Sequence, residues 1–279
     1  MNEAPPGRFP APVLQLKDAA LGYGQDTLWS GLTIDVFPGE FLAVLGANGS
    51  GKTSLLRAIL GLQPLQAGTL RVAGRPVRRG SRDIGYVQQQ RRLDPTTPLR
   101  SRDVVCQGLD GHRWGFALPG RTPWQQVERA LADVGAGELA DAPVGVLSGG
   151  EQQRVRIAQA LVDDPALLLC DEPLLSLDLS SQQVVSGLID RRRREHDTAV
   201  VFVTHEINPV LPYADRVLYL AGGAFRVGTV EEVLNSATLS ELYGTPIEVV
   251  RSGGRILVAG IPDTPEHSHH HPEAGEVVR

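Results

Sequence analysis

The feature that most limits how this 279-residue chain folds is an apolar run joined to a glycine-rich loop and a helical pattern. FLAVLG (41–46) is continuously apolar, as expected for a strand buried on both faces of a sheet. GANGSGKT (46–53) matches the phosphate-loop pattern, and SLLRAILGL (54–62) follows with helical spacing. This order predicts an α/β fold that holds phosphate groups where the strand meets the helix.

The loop offers groups suited to a nucleoside triphosphate. Backbone N–H groups of a glycine-rich turn, together with the positive end of the helix dipole, attract phosphate oxygens. Lys52 can neutralise the outer phosphates, and the hydroxyl of Thr53 can ligate Mg²⁺. An ordinary glycine-rich turn is the alternative, but the flanking strand and helix favour a phosphate loop.

Two further apolar runs end in polar residues. ALLLCDEP (166–173) places Asp171 where it suits Mg²⁺, directly or through water, and Glu172 where it can polarise an attacking water. TAVVFVTH (198–205) ends in His205, whose imidazole would reach the γ-phosphate if the two strands are neighbours. The alternative for Asp171 and Glu172 is an exposed acidic strand end, and the alternative for His205 is a structural histidine. The presence of a phosphate loop in the same chain argues against both.

A second glycine pair begins another helical pattern, LSGGEQQRVRIAQAL (147–161). Ser148 and Glu151 have the spacing of a capping box, which stabilises a helix by about 1 kcal/mol. The box gives no reason for Gly149 and Gly150, since glycine early in a helix costs roughly 0.5–1 kcal/mol relative to alanine. We interpret the pair as a close approach of the backbone to a phosphate.

Composition and periodicity also indicate the regions of the chain. The expected regions are a flexible N-terminus at 1–12, a nucleotide-binding domain at 13–235 with helical patterns from about 98 to 164, a small extension at 236–262, and a disordered tail at 263–279. The nucleotide-binding domain is expected to begin with short antiparallel strands, and the extension to contain a hairpin around Ser252–Gly254.

Charge and hydropathy argue against several classes of partner. The net charge of -5 gives no general case for nucleic acid or acidic lipid. The arginines from Arg71 to Arg102 lack interleaved aromatics, so we interpret them as a solvated face and expect no nucleic acid partner. No apolar run approaches ~18 residues, so any link to a membrane must come through a partner. The separated Cys106 and Cys170 fit a reduced, cytosolic compartment.

In order and spacing, the phosphate loop, LSGGEQQR, LLLCDEP, SLD (176–178) and a late TH (204–205) resemble the nucleotide-binding subunits of ABC transporters. The resemblance spans roughly residues 13–235. It implies a RecA-like P-loop NTPase core with an antiparallel β subdomain and an inserted helical subdomain. In that family two such domains face each other head to tail, and each ATP lies between the phosphate loop of one and the LSGGE segment of the other. The resemblance therefore implies an ATPase that uses ATP and Mg²⁺ and forms a homodimer with ATP.

The resemblance also assigns roles by position. Tyr23 matches the aromatic residue that stacks on adenine, with an ordinary strand tyrosine as the alternative. Gln89 matches the glutamine that senses Mg²⁺ and the transport partner, although Gln88 occupies the usual proline position and leaves the choice between them open. The expected catalytic residues are Lys52, Gln89, Glu172 and His205, and the expected metal ligands are Thr53, Gln89 and Asp171. The residues expected to contact ATP are Tyr23, Gly46, Ala47, Asn48, Gly49, Ser50, Gly51, Lys52, Thr53, Ser54, Ser148, Gly149, Gly150, Glu151 and Asp178.

A single nucleotide-binding unit without a membrane span looks like a bacterial import-type subunit. Such a subunit works at the cytoplasmic face of the membrane with separate permease subunits and, indirectly, a substrate-binding protein. PLRSRDVVCQGLDGHRWG (98–115) and VVRSGGRILVAG (249–260) are similar to ATPases of zinc and manganese importers, so a divalent metal is the expected cargo. The histidines of HSHHH (267–271) fit either a metal-linked role or a plain solvated tail.

Three other functions remain open at this point. One is an importer for an iron chelate or a vitamin, and another is a soluble ABC ATPase for iron–sulfur or other assembly. The third is a nucleotide-gated binding module without turnover, which the presence of both Glu172 and His205 argues against.

Overall fold

A computed structural model describes residues 11–89, 98–110 and 124–260. The strands of these residues are β1 (Leu14–Tyr23), β2 (Asp26–Val36), β3 (Phe41–Gly46), β4 (Ala67–Val72), β5 (Arg75–Pro76), β6 (Ile84–Val87), β7 (Leu167–Asp171), β8 (Ala199–Val203), β9 (Arg216–Ala221), β10 (Ala224–Gly228), β11 (Glu248–Ser252) and β12 (Arg255–Ala259). The α-helices are α1 (Lys52–Ile59), α2 (Ser101–Asp110), α3 (Trp124–Asp133), α4 (Gly149–Leu161), α5 (Leu179–His196), α6 (Val230–Val233) and α7 (Ser236–Tyr243). The expectations for the first ten residues and for the histidine tail lie outside the described residues.

A six-stranded sheet in the order β10-β9-β3-β8-β7-β6 forms the centre of the structure. Five neighbouring strands run parallel, and β10 joins one edge antiparallel to β9. The α/β fold expected from the sequence is confirmed. Because β3, β8 and β7 are adjacent and share one direction, the loops after Gly46, Val203 and Asp171 all leave the same edge of the sheet.

The continuous apolar runs reflect burial on both faces of this sheet. Along β3, Phe41, Ala43 and Leu45 belong to one hydrophobic cluster, whereas Leu42 and Val44 belong to another. This alternation is the period of two that a strand imposes on its side chains. On the first face, the rings of Phe41 and Phe202 stack with their centroids 5.4 Å apart. Helices α2 to α7 pack on this first face of the sheet, and α1 with the small sheet packs on the second.

The small sheet has the order β2-β1-β4-β5 and is antiparallel. Antiparallel strands were expected here, but β1 and β2 are longer than expected, with 10 and 11 residues. The register shifts after Leu16 and again after Ala19, and Asp18 has a φ of 47°. Such bulges move side chains from one face to the other, which breaks the alternation that a sequence pattern relies on.

Helices α2, α3 and α4 pack against one another on the first face, where α4 also contacts β6 and α5. The helix expected at 125–135 corresponds to α3. The glycine-rich segment at 111–123 is outside the described residues. Across the part of the chain that the structure describes, no helix combines the length and the apolar character that a bilayer span requires.

After β10, the described residues form a short extension next to the central sheet. The hairpin expected near Ser252–Gly254 is confirmed as β11 and β12. Helix α7 was not expected from the sequence, because its eight residues are too few for a clear periodic pattern. Its ends are nevertheless marked, since the side chain of Asn235 caps the first turn and Gly244 ends the helix in the left-handed region.

Candidate nucleotide site

The loop between β3 and α1 is folded tightly around Lys52. The Nζ of Lys52 donates to the carbonyl oxygens of Gly46 and Ala47 at 2.6 and 2.9 Å, and the side chain is buried. Gly46 has a φ of 144°, and a Cβ at this position would lie 2.1 Å from the carbonyl oxygen of Leu220 on β9. The first glycine of the motif is therefore required by the close approach of a neighbouring strand.

Two acids follow β7 directly at the same edge of the sheet. Asp171 ends the strand, and Glu172 has a φ of 48° in the left-handed region that non-glycine residues rarely adopt. The N–H of Glu172 donates to the carbonyl oxygen of Val203 at 3.0 Å, which ties this strained residue to the end of β8. Oε2 of Glu172 lies 2.7 Å from Nδ1 of His205, the second residue after β8. Strain of this kind is concentrated at functional sites in proteins.

A cavity of about 340 Å³ opens where these loops meet, a size within the range of small-molecule sites. Its lining residues are Tyr23, Leu28, Asn48, Gly49, Gly51, Lys52, Thr53, Ser54, Gln89, Asp171, Glu172 and Val203. Residues from widely separated motifs of the sequence therefore converge on one cavity. The hydroxyl of Tyr23 lies 2.9 Å from Oγ of Ser54, and the tyrosine side chain is about half exposed. This leaves its ring available for stacking.

The charges in the cavity favour a cation beside the acids. Burial raises the pKa of Asp171, and the nearby charge of Glu172 raises it further, while Tyr86 and Lys52 act in the opposite direction. Burial also lowers the pKa of Lys52. The site thus holds two neighbouring acids beside one buried lysine. Thr53, Gln89 and Asp171 offer the oxygen ligands that Mg²⁺ prefers, so this set fits an ion that completes its shell with phosphate and water.

Tyr86 is a site residue that the sequence did not single out. Its hydroxyl donates to Oδ2 of Asp171 at 3.2 Å. Burial, together with the negative charge of Asp171, raises the pKa of Tyr86 to about 12. The phenol therefore stays protonated and remains a donor to the carboxylate. Contacts of this kind orient metal ligands, as outer-shell hydrogen bonds do in metalloproteins.

The two candidate glutamines lie in different places. Gln89 lines the cavity with the phosphate loop and the two acids. Gln88 lines a separate groove of about 340 Å³ between β6 and helices α2 and α4. The geometry thus favours Gln89 as the glutamine of the nucleotide site.

The LSGGE segment lies at a different cavity. Ser148, Gly150 and Glu151 line a space of about 290 Å³ together with Ser180 and Ser181, which follow Asp178. Among the described residues, the linings of this cavity and of the nucleotide cavity share no member. The residues expected to contact ATP therefore divide into two groups on the chain, and Asp178, Ser148, Gly150 and Glu151 lie in the second group.

The capping box of the LSGGE segment is confirmed. The backbone N–H of Glu151 donates to Oγ of Ser148 at 3.3 Å, and the N–H of Ser148 donates to Oε2 of Glu151 at 2.8 Å. The hydroxyl of Ser148 also donates to Oε2 of Glu151 at 2.8 Å, and this bond lowers the pKa of Glu151 most, followed by the bond from the backbone N–H of Ser148. A reason for Gly150 also lies within the chain, since a Cβ there would be 2.8 Å from Oγ of Ser181. A nearby phosphate is thus not needed to explain this glycine.

The comparison with protein families decides the identity of this arrangement. Residues 29–175 match the family described as ABC transporter. The chain belongs to the ABC transporter family. It is an ATPase of that family.

Several ABC transporter proteins are similar to the chain over most of its length. The zinc transport system ATP-binding protein TroB of Treponema pallidum is 34% identical over 232 residues, which cover 83% of this chain and 87% of that protein. The manganese transport system ATP-binding protein MntB of Halalkalibacterium halodurans is 31% identical over 250 residues, covering 90% and 99%. The zinc import ATP-binding protein ZnuC of Roseobacter denitrificans is 35% identical over 234 residues, covering 84% and 85%.

Solved structures of the family share the fold. A chain of an ABC transporter assigned to the metal-chelate type, solved in an inward-facing conformation, superposes with a TM-score of 0.75 and is 29% identical. The aligned region covers 88% of this chain and 96% of that chain. The structure of cbiO1 from Clostridium perfringens, part of the ABC transporter complex cbiONQ, gives a TM-score of 0.69 at 26% identity, covering 83% and 94%.

Proposed function

We propose that the chain is the ATP-hydrolysing subunit of an importer that takes up a divalent metal ion, zinc or manganese, through a separate membrane permease. The observation that carries the hydrolytic part is the convergence of Lys52, Asp171 and Glu172 on one cavity, with His205 in contact with Glu172. This set supplies a phosphate-binding cation, a metal ligand and a base at one edge of the sheet.

The site residues divide the chemistry among them. Backbone N–H groups of the loop from Gly46 to Gly51 and the Nζ of Lys52 hold the phosphates. Tyr23 stacks on the adenine. Thr53, Gln89 and Asp171 would hold Mg²⁺, which would supply positive charge to the phosphates.

Glu172 and His205 act on the attacking water. Glu172 accepts a proton from the attacking water. The oxygen of this water forms a bond to the γ-phosphorus, and the bond from that phosphorus to the ADP oxygen breaks. The products are ADP and phosphate. His205 is held by Glu172 at 2.7 Å and stands at the γ-phosphate edge of the site, where it stabilises the charge that develops on transfer.

The proposed working unit is a head-to-tail homodimer. Ser148, Gly149, Gly150 and Glu151 of one subunit contact the ATP held by the phosphate loop of the other, and Asp178 couples the two half-sites. The separation of the LSGGE cavity from the nucleotide cavity supports this arrangement, because a segment remote from its own ATP is free to serve another. ATP closes the dimer and hydrolysis reopens it, so the permease docked near Gln89 alternates between its inward- and outward-open states.

The relatives support the proposed cargo and location. Three curated relatives that are 31–35% identical over most of the chain are named as zinc or manganese transport proteins. We infer that the chain works at the cytoplasmic face of the cell membrane, peripherally attached to permease subunits that receive cargo from a substrate-binding protein. The similarity to a chain of the metal-chelate type makes a chelated metal the second candidate.

Reconstitution with the cognate permease tests the cargo. Proteoliposomes that contain the complex, its binding protein and internal ATP are expected to accumulate ⁶⁵Zn²⁺ or ⁵⁴Mn²⁺. The Lys52→Ala complex is the matched control and is expected to accumulate neither. Uptake of a ferric chelate without uptake of free zinc or manganese would replace the divalent ion with the chelate. ATPase activity without a co-purifying permease would remove the transport role.

A further inference from the structure

Asn208 joins the loop after β8 to the C-terminal hairpin with two hydrogen bonds. Its Nδ2 donates to the carbonyl oxygen of Ile256 at 2.9 Å, and its Oδ1 accepts from the N–H of Ile256 at 2.8 Å. The side-chain amide thus pairs with β12 in the way a residue of a third strand would. Asn208 follows His205 by three residues, so the hairpin is tied close to the proposed catalytic histidine.

The hairpin is itself fixed to the domain from its other side. The N–H of Val249 donates to Oγ of Ser236 at 2.9 Å, and the N–H of Ile247 donates to Oγ of Ser240 at 2.9 Å. Both serines belong to α7. The side chains of Ile247 and Ile256 are buried in the larger hydrophobic cluster. The hairpin is therefore a fixed support rather than a loose appendage.

The loop that carries His205 is held at two points. On one side, Thr204 is buried and its N–H donates to the carbonyl oxygen of Val44 on β3 at 3.1 Å. On the other side, Ile207 is buried and Asn208 makes its two bonds to the hairpin. The imidazole between these points is about half exposed, so packing alone does not fix its position.

A cavity of about 230 Å³ shows how close the extension comes to the site. His205 lines it together with Gly46, Ala47 and Asn48 of the phosphate loop. Tyr243 of α7 and Val258 of β12 line the same space. The extension thus lies behind both the phosphate loop and the histidine.

We propose that Asn208 is a positioning residue, through which the C-terminal hairpin holds His205 in place for hydrolysis. This inference rests on the proposed ATPase mechanism at Glu172 and His205. Without the amide, the loop keeps the buried Ile207 but loses both bonds to the hairpin, and the imidazole samples positions away from the γ-phosphate. Misplacement by about 1 Å can cost roughly 10²-fold in rate, so a partial loss of position is expected to lower kcat by about tenfold.

Asn208→Ala tests the proposal, with Asn235→Ala as the matched control. Asn235 is the same residue type in the same extension, where it caps α7 through a bond to the N–H of Thr238 at 2.9 Å. We expect kcat to fall about tenfold in Asn208→Ala and to stay within twofold in Asn235→Ala. KM for ATP stays near the wild-type value in both, because the nucleotide cavity is untouched. An equal kcat in the two variants would overturn the proposal.

A double-mutant cycle separates positioning from general loosening. If Asn208 acts through His205, Asn208→Ala has little further effect on kcat in a His205→Ala background. Effects that multiply would overturn the proposal.

If Asn208→Ala unfolds at the assay temperature, Asn208→Asp takes its place, because it keeps the acceptor for the N–H of Ile256. Wild type and His205→Ala in the same assay test the hydrolytic mechanism itself, so its failure is distinguishable from a failure of the positioning role.

Discussion

Glu172 and His205 contact each other at the edge of the nucleotide cavity, with Oε2 of the carboxylate 2.7 Å from Nδ1 of the imidazole. The carboxylate is mostly buried and the imidazole is about half exposed, so the contact joins a buried group to one that reaches solvent. The left-handed backbone of Glu172 aims its side chain at this contact. This contact makes Glu172 the first residue to test.

Glu172→Gln is expected to keep ATP binding and to lower turnover by on the order of 10²–10⁴-fold, the usual contribution of a general base. The amide keeps the shape of the side chain but does not accept the proton of the water. Because hydrolysis no longer opens the interface, ATP and Mg²⁺ should hold this variant as a stable dimer in size-exclusion chromatography. A monomeric variant with normal hydrolysis would contradict the assignment of the base.

Tyr86→Phe is expected to raise the Mg²⁺ concentration for half-maximal ATPase activity by about tenfold, at the lower end of outer-shell effects on metal affinity. The variant removes only the hydroxyl that donates to Asp171, so the carboxylate loses its orientation while the ring remains. Tyr219→Phe is the control, because its hydroxyl pairs with that of Tyr243 at 3.1 Å. The same Mg²⁺ dependence in wild type and Tyr86→Phe would show that the bond does not orient Asp171.

Local sequence patterns were sufficient to predict the strands and helices that carry the motifs. The apolar runs at 41–46 and 167–171 are strands, because burial on both faces demands unbroken hydrophobicity, and Lys52 begins a helix as the loop pattern indicates. The capping box of Ser148 and Glu151 could also be predicted from the sequence, because it depends on two residues that are three positions apart.

Contacts between distant segments of the chain could not be predicted from local sequence patterns. Tyr86 and Asp171 are 85 positions apart and meet because β6 and β7 are neighbours, a fact of sheet order that spacing does not contain. Asn208 and Ile256 are 48 positions apart and meet only once the hairpin is docked. The need for glycine at position 150 could not be predicted either, because it depends on the packing of Ser181 from α5.

Gly150→Ala is expected to destabilise the fold by about 1–3 kcal/mol, the usual cost of overpacking. The new Cβ would lie 2.8 Å from Oγ of Ser181, which is itself held by Oδ2 of Asp178 at 2.7 Å. Urea unfolding should show that Ser181→Ala recovers part of the loss in the double variant. Gly187→Ala is the control, because its Cβ meets only the hydroxyl of Tyr213 at 3.8 Å. Equal stability of Gly150→Ala and Gly187→Ala would contradict the packing account.

Mixing two inactive variants tests whether the LSGGE segment serves the ATP of the partner subunit. Lys52→Ala removes the phosphate-binding cation, and Ser148→Arg blocks the segment with a bulky charge. In a head-to-tail heterodimer both defects fall in one half-site, so the other half-site combines an intact phosphate loop with an intact segment. If each half-site works alone, random pairing should restore about a quarter of wild-type ATPase activity, since roughly half the dimers are mixed and each has one whole site. If each chain instead used its own segment, every site would keep one defect and the mixture would stay inactive. The control is a chain that carries both substitutions, mixed with the wild-type chain. In a head-to-tail dimer of these two chains, each half-site contains one defect and no half-site is whole.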